Sequence, residues 1–321
     1  MALLLTGGAG YIGSIVAEYC INAGYDLIIL DDLREGNIKS LPNSVKFYQV
    51  NYGDKKALQD IFTNNAIDCV IHLAASSNVP HSVIVPELYY SNNITNTLTL
   101  LECMQEFGVR KFIFSSSAAI YGEPEYQPVD ENHAHIPINP YGKSKLFVEE
   151  ILKDLANSNK LKFVAFRFFC AAGATAFNGE SRKDETHLIP LVVDCALRKK
   201  DEMYVFGNKF NTIDGSGVRD YVHVADIAQA HVLALKNFDT VANDFFNIGT
   251  DSGNSVLELV ALAEKIFHRK IPMKIVDSRP GDPESLVASS AKIRKDLGWK
   301  PLFGLEQILL STFLWRKNPR Y

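Results

Sequence analysis

A glycine-rich turn between two apolar runs constrains the fold of this chain most strongly. Residues 3–32 read LLLTGGAGYIGSIVAEYCINAGYDLIILDD, where an apolar run leads into TGGAGYIG, then into helical apolar spacing and a second apolar run. This order predicts a strand, a tight turn, a helix and a second strand. Gly7, Gly10 and Gly13 let the turn, which also contains Tyr11 and Ile12, present backbone N–H groups to a diphosphate at the helix N-terminus. We therefore predict a dinucleotide-binding turn.

An acidic residue ends the second predicted strand. Asp31 follows the apolar run at the distance where a carboxylate accepts hydrogen bonds from the ribose hydroxyls of an adenine dinucleotide. The same negative charge would repel a 2′-phosphate, so the position favours NAD over NADP. Arg34 is the nearby cation that weakens this preference.

Composition and charge exclude several classes of protein. The 321 residues allow one large domain or two ordinary ones, and 47% hydrophobic residues are ample for a packed core. A net charge of −4 without a long run of one sign gives no basic excess for nucleic acid or an anionic membrane. The N-terminus lacks the basic segment of a signal peptide, and no apolar stretch is long enough to span a bilayer. The cysteines are scattered and without CxxC spacing, which predicts reduced thiols and a cytoplasmic location: Cys20, Cys69, Cys103, Cys170 and Cys195.

Strand-like and helical patterns alternate through the first half of the chain. Apolar runs at 45–50, 69–73 and 111–115 alternate with helical spacing at 55–64 and 88–107. Such alternation predicts an α/β fold, a doubly wound parallel sheet with ligands past the carboxyl ends of its strands. Small or polar residues follow these strands, where they either meet a ligand or make ordinary turns: Asn51, Tyr52, Ala74, Ala75, Ser76, Ser77, Ser115, Ser116 and Ser117. Asn92 and Asn93 on the helix are expected at the surface unless a cofactor lies beside them.

A tyrosine and a lysine one helical turn apart carry the predicted chemistry. Tyr141 and Lys145 lie at i and i+4 of a helix predicted over 141–155, so they share one face. A free phenol titrates too high to act as a base at neutral pH. A lysine ammonium together with a cationic nicotinamide is expected to lower the pKa of Tyr141. Ser117 ends the strand FIFSSS and can hydrogen-bond the same substrate oxygen; the alternative is an ordinary Tyr/Lys surface pair.

Several motifs together resemble those of the extended short-chain dehydrogenase/reductase family. They are TGGAGYIG, VIHLAA, FSSSAAIYG and PYGKSK in the first half, with RFFCAAGA, THLIP, VFG, DGSGVRDYVHV and RPGD in the second. The resemblance implies a Rossmann domain for NAD over residues 1–170, to which 218–250 returns. It also implies a smaller, interleaved C-terminal α/β domain over 171–321 that binds a nucleotide sugar.

The resemblance implies an isomerase that inverts C4 of a UDP-hexose through a transient 4-keto sugar, using tightly bound NAD. UDP-glucose and UDP-galactose are the expected pair. Leu286 stands where family members gate the pocket, and its intermediate size leaves UDP-GlcNAc/UDP-GalNAc, or another UDP-sugar, as an alternative. A 4,6-dehydratase would need an acid pair after Ser117, where Ala118 and Ala119 stand. A non-catalytic NAD sensor would usually have lost the tyrosine or the lysine.

Further binding residues follow from the same resemblance. For the cofactor they are Asp32, Leu33, Asn51, Tyr52, Leu73, Ala74, Ala75, Ser77, Asn93, Ser115 and Phe168. For the substrate they are Arg219 and Arg279 as diphosphate forks, Asp282 for a ribose hydroxyl, Leu188 and Phe206 against uracil, and His187, Tyr204, Val205, Phe169 and Cys170 nearby. Three positions depart from the family pattern: Cys170 replaces an asparagine, Asn51 an aspartate and Ser77 a lysine.

Family members commonly form homodimers through two long helices, here 88–107 and 141–155. The apolar residues Leu98, Leu101 and Phe107 permit such an interface without requiring it.

Overall fold

A seven-stranded parallel sheet forms the centre of the first half of the computed structural model, which describes residues 1–182, 184–279 and 281–321. Its order is β10-β6-β5-β4-β1-β2-β3. The strands are β1 Ala2–Thr6, β2 Asp26–Asp31, β3 Lys46–Gln49, β4 Cys69–His72, β5 Lys111–Ser117, β6 Lys162–Phe168 and β10 Asp244–Ile248. Because every neighbour is parallel, the carboxyl ends of all these strands meet at one edge of the sheet.

Helices cover both faces of this sheet. They are α1 Tyr11–Asn22, α2 Lys55–Thr63, α3 Val79–Ile84, α4 Pro86–Tyr90, α5 Asn96–Glu106, α6 Pro140–Asn157, α8 Val224–Lys236, α9 Phe238–Val241 and α11 Ala291–Leu297. One apolar core packs α1 and α8 against the sheet, and a second packs α2, α5 and α6 against its other face. The predicted doubly wound α/β fold is confirmed.

The helix predicted over 88–107 is interrupted by a π-helical turn. Ser91–Thr95 forms this turn between α4 and α5. Asn92 and Asn93 on it are 5% and 3% exposed, so they do not lie at the surface, where they were expected unless a cofactor lies beside them. Their amides hydrogen-bond residues of neighbouring segments, and that is a physical reason for the burial of two polar side chains.

A second unit is built on smaller sheets. Strand β9 Val218–His223 pairs with β7 Cys170–Ala172, with β11 Gly253–Ser255 and with β13 Ser285–Leu286, while β8 Met203–Phe206 pairs with β12 Met273–Val276. The helices α7 Leu188–Ala196, α10 Val256–Phe267 and α12 Leu305–Lys317 share its apolar core. Residues 218–250 pack in both units. Strand β9 belongs to the second unit, whereas α8 and β10 pack with the large sheet.

The structure bears on two expectations from the sequence, the apolar residues of a helical interface and the state of the cysteines. Leu98 and Phe107 are 39% and 36% exposed, but Leu101 is 1% exposed in the core, so it is not available to an interface. The five cysteines are free thiols. No helix in the described part of the chain combines the length and apolar composition that a membrane crossing needs.

Candidate active site

A cavity of about 780 Å³ opens at the carboxyl ends of the parallel strands and extends to the second unit. Gly7 after β1, Asp31 of β2, Leu73 after β4, Ser117 of β5 and Phe168 of β6 line it from the large sheet. This is the edge at which doubly wound sheets bind ligands. The parallel topology therefore brings residues that are far apart in sequence to one site.

The glycine turn forms one wall of the cavity. Gly7 has a φ of +72°, and a Cβ atom there would lie 2.6 Å from the backbone nitrogen of Ala74. A Cβ on Gly13 would lie 2.0 Å from the carbonyl oxygen of Gly7. Gly10 caps α1 without a side chain, so the start of the helix stays open to the cavity. A bare helix N-terminus against a cavity is suited to an anionic group such as a diphosphate.

Asp31 lies on the adjoining wall with both carboxylate oxygens engaged. Oδ2 accepts a hydrogen bond from the backbone of Ala9 at 2.9 Å, and Oδ1 accepts one from Leu33 at 2.9 Å. Burial raises the pKa of Asp31, and these N–H donors oppose that effect. The backbone thus fixes a carboxylate at the end of β2, with lone pairs left over for ribose hydroxyls.

Three predicted cofactor residues support the lining without reaching it. Leu33 has a φ of +60° in the turn after β2. Asn51 donates a hydrogen bond to Oδ2 of Asp32 at 2.9 Å. Asp32 itself lines the cavity and forms an ion pair with Arg34 at 3.1 Å.

Asn93 is the third of these supporting residues. Its Oδ1 accepts a hydrogen bond from the backbone of Ser76 at 2.8 Å, and its Nδ2 donates to Oγ of Ser144 at 3.0 Å. It thereby joins the segment after β4 to the start of α6. Ser76 and Ser77 from that segment line the cavity.

The helix α6 carries Tyr141 and Lys145 into the cavity. Asn139 caps the helix by accepting a hydrogen bond from the backbone of Gly142 at 2.8 Å. Lys145 is 2% exposed, and its Nζ donates to the carbonyl oxygen of Ser115 at 2.7 Å. The same Nζ lies 5.9 Å from the centroid of the Tyr141 ring. Ser117 at the end of β5 lines the cavity beside these residues, and its Oγ accepts a hydrogen bond from the backbone of Ala119.

Burial controls the titration of both residues. It raises the pKa of Tyr141, while a hydrogen bond from Ser117 and the charge of Arg182 act in the opposite direction. Burial lowers the pKa of Lys145 to about 7, opposed by the carboxylate of Glu149. The protein groups around Tyr141 therefore do not lower its pKa by themselves, and the expectation for the Tyr/Lys pair, which includes a cationic nicotinamide, stays a prediction. The main reason is burial of the phenol, and the ammonium of Lys145 donates to the Ser115 carbonyl rather than to the phenol.

The second unit supplies the opposite wall. The lining residues from this unit are Cys170, His187, Leu188, Tyr204, Val205, Phe206, Arg219, Arg279, Asp282 and Leu286. The guanidinium of Arg279 lies 3.4 Å from the centroid of the Phe206 ring, so the face expected to meet uracil is covered by a cation. Arg219 donates to the carbonyl oxygen of Val218 at 2.8 Å. The two arginines predicted to bind a diphosphate thus line one cavity.

Sequence reasoning missed a charged segment that also lines the cavity. Arg182 lies 3.7 Å from the carboxylate of Glu180 and 4.0 Å from that of Glu35. Glu185 accepts a hydrogen bond from Nδ1 of His187 at 2.8 Å. Glu180, Arg182 and Glu185 lie in a loop without periodicity, so no local pattern could have indicated them, whereas His187 belongs to the predicted set. Phe169 of the predicted set also lines the cavity, as do Tyr52, Ala74 and Ala75.

Comparisons with known proteins identify the family and relatives of this chain. Residues 3–249 match the model of the NAD dependent epimerase/dehydratase family. A UDP-glucose 4-epimerase of Lacticaseibacillus casei is 41% identical over 99% of this chain and 97% of its own length. The crystal structure of UDP-glucose 4-epimerase from Bifidobacterium longum in complex with NAD+ and UDP superposes with a TM-score of 0.95 at 36% identity, covering 99% of each chain. The UDP-Glc/GlcNAc 4-epimerase of Campylobacter jejuni superposes with a TM-score of 0.85 at 35% identity, covering 98% of this chain and 99% of that one.

Proposed function

The chain belongs to the NAD dependent epimerase/dehydratase family, and we propose that it interconverts UDP-glucose and UDP-galactose by inverting C4. One observation carries this proposal. Tyr141 and Ser117 line the same cavity as the glycine turn on one side and as Arg219 and Arg279 on the other. A phenol between a dinucleotide site and a pair of diphosphate forks is suited to redox chemistry on a nucleotide-linked sugar.

The residues at the glycine turn fit NAD. The space that side chains at Gly7 and Gly13 would fill, together with the open start of α1, suits a diphosphate, and the fixed carboxylate of Asp31 suits ribose hydroxyls. NAD bound at this site would supply a hydride acceptor for C4 of the sugar and a hydride donor for the opposite face of its 4-keto form. The cofactor and the C4 carbon of the sugar each return to their starting oxidation state in every turnover. We therefore infer that NAD serves as a tightly held prosthetic group rather than as a second substrate.

Tyr141 moves the proton of this reaction. Its phenolate takes the proton from the sugar 4-hydroxyl during oxidation and returns it during reduction. The hydroxyl of Ser117 hydrogen-bonds the same sugar oxygen and holds it in line with the phenol. Burial raises the pKa of Tyr141, so the phenolate depends on positive charge that stabilises it, from Lys145 and from the cationic ring of the cofactor.

The substrate is held through its nucleotide. Arg219 and Arg279 bind the diphosphate, and movement of the Arg279 guanidinium away from Phe206 exposes the ring to uracil. Cys170, Phe169, His187, Leu188, Tyr204, Val205 and Asp282 complete this wall. Few side chains remain for the hexose, and loose retention of the hexose lets the 4-keto sugar turn over in the pocket.

A second substrate pair, UDP-GlcNAc and UDP-GalNAc, is favoured by one residue. Leu286 lines the cavity in β13 at the register position of Arg219 and is smaller than a tyrosine. A smaller side chain at this place leaves room for an N-acetyl group. The Campylobacter jejuni protein with this fold carries both substrates in its name.

We also propose a homodimer formed through α5 and α6. Leu98 of α5, Phe107 directly after α5 and Phe147 of α6 are exposed apolar residues. A cytoplasmic location is supported by five cysteines that stay free thiols. Sedimentation of the purified protein would test the dimer, and a monomer at micromolar concentration would contradict it.

An assay without added NAD tests the function. The purified protein is given UDP-glucose, UDP-GlcNAc or UDP-glucuronate, and each product is separated by chromatography. We expect UDP-galactose from UDP-glucose. With substrate deuterated at C4, we expect the label to remain at C4 of the product, whereas loss of the label to water would contradict the hydride cycle.

A further inference from the structure

A fully buried ion pair lies behind the active site and takes no part in the chemistry proposed above. Arg167 of β6 holds both carboxylate oxygens of Glu149, with Nε–Oε1 at 3.1 Å and Nη2–Oε2 at 2.8 Å. Their side chains are 1% and 0% exposed. Removing two charges from water is expensive, and such pairs are often no more stable than apolar residues of the same volume. A contribution to stability is therefore a weak explanation for this pair.

Glu149 is joined to the end of β5 by a short hydrogen bond. The hydroxyl of Ser116 donates to Oε1 of Glu149 at 2.5 Å. On either side of Ser116, the carbonyl oxygen of Ser115 accepts a hydrogen bond from Lys145, and Ser117 lines the cavity. Three consecutive serines thus connect the lysine, the buried carboxylate and the candidate catalytic hydroxyl.

Glu149 also follows Lys145 by one turn of α6. Residues at i and i+4 share a helix face, so the carboxylate lies on the same side of α6 as the ammonium. Lys145 otherwise packs against the ring of Phe114, 4.9 Å from its Nζ. Burial in such surroundings disfavours the ammonium, and the carboxylate of Glu149 opposes this effect.

Among the residues that the structure describes, none of the other titratable groups around this network adds negative charge beside Lys145 as Glu149 does. His72 of β4 stays neutral because burial lowers its pKa to about 3, and burial raises the pKa of Tyr121. Arg167 offsets part of the Glu149 charge. The titratable and charged groups that face Lys145 or its partners include His72, Tyr121, Glu131, His135, Tyr141, Glu149, Arg167 and Arg182.

We propose that Glu149, oriented by Arg167 and Ser116, is a positioning residue that keeps the ammonium of Lys145 charged and directed at the end of β5. This inference rests on the proposed function of Tyr141 and Lys145. When the pair has lost one proton, it exists either as phenolate with ammonium or as phenol with neutral amine. The carboxylate favours the first form, which is the one that accepts the proton of the sugar hydroxyl.

The variant Glu149→Gln tests the charge. The amide oxygen can still accept the hydrogen bond from Ser116, while the negative charge is lost. We expect kcat to fall about tenfold, with KM for UDP-glucose within about twofold of wild type. The reason is that loss of the carboxylate shifts the equilibrium between phenolate with ammonium and phenol with amine by about one pKa unit. We also expect the alkaline limb of the kcat–pH profile to move to lower pH, since the ammonium loses its proton more easily. An unchanged kcat and an unchanged limb would overturn the proposal.

Two further variants distinguish charge from packing. Ser116→Ala keeps the carboxylate, so its alkaline limb should stay at the wild-type pH even if kcat changes. An equal shift of the limb in Ser116→Ala would overturn the proposal. Because Glu149→Gln leaves Arg167 buried without a counter-ion, the double variant Glu149→Gln/Arg167→Met provides a neutral pair that fills similar volume.

If Glu149→Gln alone does not fold, the double variant Glu149→Gln/Arg167→Met tests the proposal. Its thermal unfolding is followed by circular dichroism, and its NAD content is measured after acid precipitation. A folded double variant with NAD content like wild type should show the lowered alkaline limb. A wild-type limb would overturn the proposal, and so would failure of both variants to fold, because the pair would then be structural. Activity retained by Tyr141→Phe would instead overturn the proposed function.

Discussion

The Nζ of Lys145 lies 2.7 Å from the carbonyl oxygen of Ser115, whereas it stands 5.9 Å from the centroid of the Tyr141 ring. The lysine is therefore anchored to the end of β5 rather than to the phenol. A hydrogen bond from Ser117 and the charge of Arg182 oppose the rise that burial causes in the pKa of Tyr141. In the function proposed above, Lys145 is held at the end of β5, and Tyr141 is the residue of the pair that meets the substrate.

Replacement of the phenol tests the assignment of the base. We expect Tyr141→Phe to lower kcat by roughly 10³-fold, since a positioned general base typically contributes 10²–10⁴-fold. KM for UDP-glucose and the NAD content should stay close to wild type, because the ring is kept. Tyr89→Phe is a matched control, since Tyr89 lines the same cavity and donates its hydroxyl hydrogen bond to the carbonyl of Asn78. Equal losses in the two variants would contradict the assignment.

The burial of Lys145 predicts an increase in stability when it is replaced. Burial lowers the pKa of Lys145 to about 7, below its usual value near 10.5. Between these values the unfolded chain binds more protons at this position, so its contribution to stability rises with pH. We expect Lys145→Met to unfold ~1–3 °C above wild type at about pH 6, with a smaller difference at about pH 10, and to lose activity.

The exposed neighbour provides the control for this measurement. Lys143 lies on the same helix at the surface, so Lys143→Met should leave the unfolding temperature unchanged. If Lys145→Met melted below wild type at about pH 6, the hydrogen bond to Ser115 would outweigh the desolvation of the ammonium.

The carboxylate of Asp31 predicts cofactor preference. Asp31→Asn keeps one acceptor oxygen but turns an amide donor toward the backbone N–H of Ala9 or Leu33. We expect the Kd for NAD to rise about tenfold, the equivalent of one lost hydrogen bond. Discrimination against NADP should fall, because the charge that repels the 2′-phosphate is removed. Fluorescence titration of NAD-depleted protein measures both, and Asp26→Asn at the exposed start of the same strand should change neither.

The side chain at position 286 predicts the choice between the two UDP-sugar pairs. Leu286→Tyr fills the cavity beside Arg219, so we expect the ratio of kcat/KM for UDP-GlcNAc to that for UDP-glucose to fall at least about tenfold. The neighbouring Val287 does not line the cavity, and Val287→Leu should keep the wild-type ratio. A ratio unchanged by Leu286→Tyr would show that another residue limits the pocket.

Local sequence patterns account for the elements that hold the site. The glycine spacing predicted β1, the turn, α1 and β2, and the structure has these elements at Ala2–Thr6, Tyr11–Asn22 and Asp26–Asp31. The i, i+4 spacing predicted the helix that carries Tyr141 and Lys145, observed as Pro140–Asn157. Such features depend on backbone geometry within a few residues, which the sequence encodes directly.

Partners across the fold could not be predicted from spacing. Arg167 and Glu149 are 18 positions apart and belong to a strand and a helix whose packing alone brings them together. The stacking of Arg279 on Phe206 and the burial of Asn92 and Asn93 also depend on neighbouring segments.

The sequence by itself determined the parallel sheet, the dinucleotide turn and the helix face shared by Tyr141 and Lys145, because periodicity and glycine geometry act over short distances. Only the tertiary structure decided that the ammonium of Lys145 meets the Ser115 carbonyl, and that burial raises the pKa of Tyr141. These depend on which groups surround a side chain and how much water is excluded, and both are properties of the packed chain.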